Sequence, residues 1–287
     1  MTVFRCGGRH LTSAFVVGVV GALILASAPE SSEASSATGA RATFPRYYNV
    51  DIRAHQFNMC DIACSNTGNP RDLVLWFNND TGSFGSPWAI ALNEACVANV
   101  GWLATQTGKQ AFFATAKYVS ACPGTDDRFG NAVLIGGSLL TGTNLQWQFP
   151  TQEQSPCTVS YSQECRKMVC TTFSSYAGNV TYCSGHLENN TSVATAQANE
   201  YIYTANSTYP GGRWLSGDFN LRTSEIPGVY YDQYYRSPQM YTFKSDSLDR
   251  QIDYIWHDRA NSAFNTVGNR YCDINYSDHC MTFAKFG

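Results

Sequence analysis

The chain has 287 residues, 44% of them hydrophobic and 14% charged, with a formal net charge of -3. These proportions exclude a disordered or collagen-like chain and supply enough apolar side chains for a sizeable core. The slightly acidic balance excludes a general basic field, so any phosphate-bearing partner must be held by a local site.

Arg5 and Arg9 precede an apolar run from Leu11 to Ala26, closed by the small residues Ala26-Ser27-Ala28. This pattern predicts a secretory signal peptide over 1–28 and an extracellular mature protein. A membrane anchor is the competing reading, but the run contains Thr12, Ser13 and glycines and is short for a span. Residues 29–44, rich in Ser and Ala, read as a flexible spacer with too little apolar surface to order itself. No later stretch suits a bilayer, so the expectation is a monomer without a stable membrane anchor, one domain over 45–287. Of 11 cysteines, removal of Cys6 with the leader leaves an even set, which in an exported chain argues for disulfides. No Cys-x2-Cys pair points to zinc. Connectivity stays open, with Cys60–Cys64, Cys157–Cys165, Cys170–Cys183 and Cys272–Cys280 the geometrically cheap local pairs.

The first strand is expected from Tyr48 to Met59, with Asn58 near its end. A short helix over Asp72–Phe77 follows, then a Gly/Ser/Asn loop. Trp88–Leu92 reads as a buried strand running into Asn93 and Glu94, and Val97–Thr105 has helical spacing. Gln110–Ala116 and Ala132–Ile135 are strands, and 137–165 is loop-rich. Met168–Phe173 and Asn179–Ser184 pair as a hairpin that ends at Gly185-His186. Ser192–Tyr203 is the clearest helix, with Ser192 as its cap.

The next strand, Arg213-Trp214-Leu215-Ser216-Gly217, stops abruptly in Asp218-Phe219-Asn220. Trp214 and Ser216 point one way, Leu215 and Gly217 the other, and in an extended chain Asp218 and Asn220 share a face. A carboxylate beside a carboxamide suits a hard cation, a phosphate and an attacking water, although the same pair also serves ordinary turns. Tyrosines crowd Tyr230–Tyr235, where packing is favoured over base stacking. Gln251–Trp256 encloses Asp253 in an apolar run, and Ser277-Asp278-His279 precedes a last strand, Met281–Phe286. Strands interspersed with helices at this length suggest a layered α/β sandwich with two sheets.

The same event thus recurs: an apolar strand stops and a group useful in phosphoryl chemistry appears. Asn58, Glu94, His186, Asp218 with Asn220, Asp253, and Asp278 with His279 all fit it. Several carboxylates buried together would call for a cation.

These stretches, in this order over roughly 48–286, resemble the endonuclease/exonuclease/phosphatase superfamily. The resemblance implies an α/β (α+β) fold, a four-layered α/β/β/α sandwich with two packed mixed sheets. It implies a metal site of Glu94, Asn58 and Asp278 holding Mg²⁺, with Mn²⁺ or Ca²⁺ as alternatives. It further implies a catalytic set of His186, Asp218, Asn220, Asp253 and His279. In that scheme Asp253 orients His279, which activates water; His186 donates to a phosphoryl oxygen or protonates the leaving group; Asp218 and Asn220 position water and phosphate. Whether Asp218 or His279 takes the proton stays open. Two departures stand out: the family's arginine two residues after the metal glutamate is Cys96 here, and the glutamate behind its first histidine has no evident counterpart.

The plainer readings are a buried structural acid at Asp253, a helix-start glutamate at Glu94 and a structural histidine at His279; His55 and His257 are read as structural. The resulting expectation is a secreted metal-dependent phosphodiesterase, an endonuclease acting on nucleic acid. The alternatives are a sphingomyelinase- or inositol-phosphate-phosphatase-like hydrolase, and a non-catalytic secreted binding protein or toxin subunit.

Overall fold

In the first strand the even-numbered residues turn toward a second sheet and the odd-numbered ones toward helices. Ala54 packs between the sheets, whereas Phe57 packs outward. The computed structural model describes residues 52–286 except 63, 65–67, 80–85, 138–139, 141–142, 176–177, 237–240, 246–247 and 259–266. The expected leader, the spacer and the start of the first strand lie outside the described residues.

One sheet runs in the order β13 (Val267–Tyr271), β14 (Met281–Phe286), β1 (Ile52–Asn58), β2 (Ala89–Cys96), β4 (Arg128–Ile135), β3 (Gln110–Tyr118). The other runs β5 (Leu145–Gln148), β6 (Lys167–Ser175), β7 (Gly178–His186), β8 (Gly212–Asp218), β12 (Asp253–Asp258), β9 (Tyr234–Arg236). A separate hairpin joins β10 (Phe243–Ser245) and β11 (Leu248–Arg250). Both large sheets are mixed, because β1 pairs parallel with β2 and β7 with β8 while their other pairings are antiparallel. Strand β5 lies in the stretch read from sequence as loop.

Strands covered on both faces read as continuous apolar runs, because each parity of side chain is buried against a different partner. Between the sheets lie Ala89, Ala91, Val133, Val180, Tyr182, Trp214 and Ile255. On the outside of the first sheet, Ile90, Leu92 and Leu134 meet Leu73, Val74 and Phe77 of α1 (Pro70–Asn79) and Val100 and Leu103 of α2 (Val97–Thr107). On the outside of the second, Leu215 and Trp256 meet Ala198, Tyr201 and Ile202 of α3 (Thr191–Thr208) and Tyr230 of α4 (Gly228–Gln233). The result is the expected α/β/β/α sandwich. Helix α3 is capped by Asn190, not Ser192: its Oδ1 accepts from the Ser192 and Val193 backbone N–H groups at 3.1 and 3.4 Å. The residue ahead of the first turn has the reach that a residue within it lacks.

Two features fix the strands below the site. Fully buried Asn93 accepts from the Asp218 N–H at 3.0 Å and donates to the Gly185 carbonyl at 3.0 Å and to Asn131 Oδ1 at 3.0 Å. It thereby clamps β2 to β7 and β8. Gly217 has φ 138°, and a Cβ there would lie 1.8 Å from the Gly185 oxygen. Only glycine fits both that conformation and that approach.

The ten cysteines among the described residues pair: Cys60–Cys64, Cys96–Cys122, Cys157–Cys165, Cys170–Cys183 and Cys272–Cys280. Four of these are the local pairs read from spacing.

Candidate active site

Parallel pairing sets strand C-termini side by side, so groups that follow such strands arrive at one rim. Asn58 ends β1 opposite Asn93 of β2, and His186 ends β7 opposite Asp218 at the end of β8. Antiparallel β12 begins at that rim, with Asp253 opposite Asp218. His279 enters just before β14, bridged to Phe243 of the β10–β11 hairpin. A cleft of about 850 Å³ opens there, lined by Glu94, His186, Asp218, Asn220, Asp278 and His279 among others. Asn58 and Asp253 sit directly behind it, both without solvent exposure.

Asp253 Oδ2 lies 2.8 Å from His279 Nδ1, while Asp253 Oδ1 accepts from Gln56 Nε2 at 2.9 Å. The ring is thereby fixed with Nε2 turned to the cleft, 3.6 Å from Asp218 Oδ2 and 3.8 Å from Asp278 Oδ1. Burial opposes charge on this imidazole, but the carboxylates of Asp253 and Asp218 outweigh it and raise its pKa to about 10. Asp218 is raised as well, first by burial and then by the Asp253 charge.

Asn58 joins two carboxylates: its Nδ2 lies 3.0 Å from Glu94 Oε1 and 3.0 Å from Asp218 Oδ2. Its Oδ1 is taken by the Cys60 N–H at 3.0 Å. The amide nitrogen therefore faces the carboxylates, and Asn58 acts here as a donor to both. Burial raises the Glu94 pKa, and the donor from Asn58 only partly offsets it. Asn220 does not share a strand face with Asp218, because β8 ends at Asp218 and Asn220 turns left-handed at φ 50°. Its N–H closes onto Asp218 Oδ1 at 2.9 Å, and its Nδ2 lies 3.3 Å from His186 Nε2.

His186 meets residues that sequence reasoning missed. Arg166 Nη1 lies 2.8 Å from its Nδ1 and 3.0 Å from its Nε2, and Glu164 Oε1 lies 3.8 Å from Nδ1. Arg166 is buried and also binds Glu164 and Glu188. Burial first, and then the guanidinium charge, hold the imidazole pKa well below the ordinary value, so it is neutral. An arginine and a glutamate thus enter the cleft from just ahead of β6, whereas Cys96, two residues after Glu94, is tied to Cys122. Their only signal in the sequence was the pair of absences noted above.

The non-glycine residues with positive φ among the described residues are Cys60, Glu94 and Asn220, at 49°, 49° and 50°, and all three line the cleft. Glu94 sits where the β2–β4 register slips between Leu92 and Ala95, a bulge that turns its side chain into the cleft. Strain of this kind persists where surrounding structure enforces it, and it gathers at functional sites. His55 and His257 are buried away from the cleft. Tyr230 and Tyr234 are core residues that donate to Ala198 and Asn206, as packing rather than stacking requires.

No protein-family model and no curated protein sequence matches this chain. Solved structures do. The human Nocturnin catalytic domain with bound sulfate is 16% identical, with a TM-score of 0.60 over 83% of this chain and 93% of that one. D. rerio TDP2 complexed with single-strand DNA product is 16% identical, with a TM-score of 0.59 over 83% and 100%. An endonuclease/exonuclease/phosphatase family protein from Leptotrichia buccalis is 13% identical, with a TM-score of 0.62 over 82% and 99%. The chain has the endonuclease/exonuclease/phosphatase fold, as the order of its motifs implied.

Proposed function

We propose that this protein is a secreted, divalent-metal-dependent phosphodiesterase, an endonuclease that hydrolyses phosphodiester bonds of nucleic acid. The observation that carries this reading is the meeting of Glu94, His186, Asp218, Asn220, Asp278 and His279, from far-apart strand ends, in one cleft. The ten paired cysteines support an extracellular setting. The similar structures solved with a single-strand DNA product and with sulfate support a substrate of phosphate chemistry.

The donor set fits a divalent cation. Ligand atoms of Glu94, His186 and Asp218 lie within 4.8 Å of one another, and burial raises both carboxyl pKa values, a cost that a cation would relieve. Mg²⁺, or Mn²⁺ or Ca²⁺ in its place, would be held mainly by Glu94, with Asp278 at the cleft wall and Asn58 steering the carboxylates. The grouping of Asp278 with Cys60 and Cys64 offers no competing site, because those cysteines are joined. The bound ion would supply positive charge to the phosphoryl oxygens.

The remaining work falls to the chain. His279, held by Asp253 and flanked by carboxylates, presents a cationic Nε2 to a phosphoryl oxygen. That assignment makes Asp218 the acceptor of the water's proton, since an imidazolium cannot take one. Asn220 holds the Asp218 carboxylate and the nucleophile in line. His186, kept neutral, donates a hydrogen bond to the phosphate rather than protonating the leaving group, and Arg166 adds charge beside it.

Two observations weigh against the alternatives. Strands β10 and β11 carry Lys244, Asp249 and Arg250 in six residues, a density of charge at odds with a lipid-inserting segment. A mere binding protein has no use for strained backbone at Glu94 and Asn220. The test is the purified mature protein with plasmid DNA, RNA, sphingomyelin and inositol phosphates, with Mg²⁺ and with EDTA, alongside His279→Ala. Cleavage of nucleic acid that EDTA abolishes, and that folded His279→Ala lacks, is expected. EDTA-resistant cleavage, or full activity of His279→Ala, overturns the reading.

A further inference from the structure

Most exposed large aromatic side chains lie away from the cleft, but Tyr118 and Tyr161, 37% and 61% exposed, line it. Their ring centroids are 5.6 Å apart at an interplanar angle of 39°. The rings contact each other, so a flat ligand would lie on their outward faces and not between them. We propose that Tyr118 and Tyr161 form a stacking platform for an unpaired base of single-stranded nucleic acid, with Lys117 holding the neighbouring backbone phosphate. The proposal rests on the phosphodiesterase reading and adds to it a preference for single strands.

The platform is built into the fold. Strand β3 and β4 slip register between Thr115 and Lys117, and beyond that bulge both Lys117 and Tyr118 line the cleft. Tyr161 sits on the loop closed by the Cys157–Cys165 disulfide. That loop is stitched to the end of β3: the Tyr118 N–H donates to the Ser160 carbonyl at 3.1 Å, and the Cys165 N–H to the Ala116 carbonyl at 2.9 Å. Tyr161 Oη donates to Asp127 Oδ2 at 2.5 Å, which anchors the ring in an exposed position. A platform ordered before binding avoids the entropy of ordering it on binding.

The charge around it selects the occupant. Tyrosine faces also attract quaternary ammonium groups, as in a choline headgroup. The cleft lining as a whole is mixed, since Glu94, Glu164, Asp218 and Asp278 stand in it with Lys117, Arg166 and Arg250; next to the Tyr118 ring the charge is that of Lys117, which would oppose such a cation and attract a phosphate. In a duplex the base faces are already stacked, so only an unpaired base can use the rings. Phosphate contacts by Lys117 are common to both forms.

The test uses the full mature protein and one fluorescent oligonucleotide, single-stranded or folded into a duplex hairpin. Binding is read by anisotropy in EDTA, and cleavage with Mg²⁺. Loss of one base–aromatic stack corresponds to roughly five- to hundredfold in affinity, so Tyr161→Ala and Tyr118→Ala should each weaken single-strand binding about tenfold. Duplex binding should change less than about twofold; Tyr118→Phe, which keeps the ring, should restore the single-strand affinity, and Tyr161→Phe, which keeps the ring but gives up its bond to Asp127, should restore most of it. Lysine substitution, Lys117→Ala, should weaken both forms alike and flatten the salt dependence. Equal loss on both forms, or no loss on either, overturns the platform. So does an effect of the tyrosine variants confined to a phosphocholine diester. Single-strand binding that depends on the tyrosines without any cleavage by the wild type would sink the hydrolase reading and leave the platform standing.

Discussion

Replacing Asp253 with Asn removes a charge from the residue that orients His279 while keeping its shape. The carboxamide oxygen can still accept from His279 Nδ1 or from Gln56 Nε2, which stand 2.8 and 2.9 Å from the carboxylate. What disappears is the main support for an imidazolium in a buried setting. A charge-assisted hydrogen bond is worth about twice a neutral one, so the ground-state loss is about 1–2 kcal/mol. The ring can also shed its proton, which keeps the cost below the roughly 3–5 kcal/mol of a buried ion pair broken outright. For a domain of this size the melting temperature should fall by about 2–8 °C. Catalysis should suffer more, because loss of one preorganised donor to the phosphoryl oxygens costs about 10²–10³ in kcat. The assay is kcat and KM on an oligonucleotide from pH 5 to 9, saturated with Mg²⁺. The expected result is a kcat loss of that size, KM within about threefold, and an alkaline limb moved down toward the ordinary histidine range near 6.5. An unchanged pH profile with kcat within about tenfold of wild type would refute a cationic His279.

Glu94→Gln keeps the backbone position but removes the carboxylate charge that mainly holds the ion; Mg²⁺ affinity by calorimetry should drop at least about tenfold, with the fold intact by circular dichroism. Asn93→Ala strips the buried clamp between the sheets and orphans the Asp218 N–H; urea unfolding should show a loss of about 2–4 kcal/mol. In EDTA, stability should fall as pH rises. Asp218 and His279 both have raised folded-state pKa values, to about 7 and about 10, so each contribution is complete below its unfolded value and disappears as pH climbs through its folded value. Below about pH 6.5 the depressed pKa of His186 contributes with the opposite sign, so melting temperatures of metal-free protein should decline most clearly between about pH 7 and pH 10, and Mg²⁺ should raise them most where Asp218 is ionised.

Much of this was legible because burial on both faces of a strand leaves a plain apolar run, and the polar group that ends each run is the one a rim requires. Glu94, His186, Asp218 and His279 announce themselves in this way. What escaped reading depended on tertiary placement. Arg166 and Glu164 precede an ordinary strand, and only the packing of that segment against His186 reveals them. Alternation places Asn220 on a strand face because it says nothing about where a strand stops. The orientation of the Asn58 carboxamide follows from its partners, here the Cys60 N–H. Leu145–Gln148 is too short to signal itself, and it forms a strand because β6 offers it an edge.

The most direct test is a crystal of the mature protein soaked in Mn²⁺, with the anomalous signal used to locate the ion. A single strong peak within coordinating distance of the Glu94 carboxylate, facing Asp218, is expected. Manganese bound elsewhere, or none at Glu94 at saturating concentration, would contradict it.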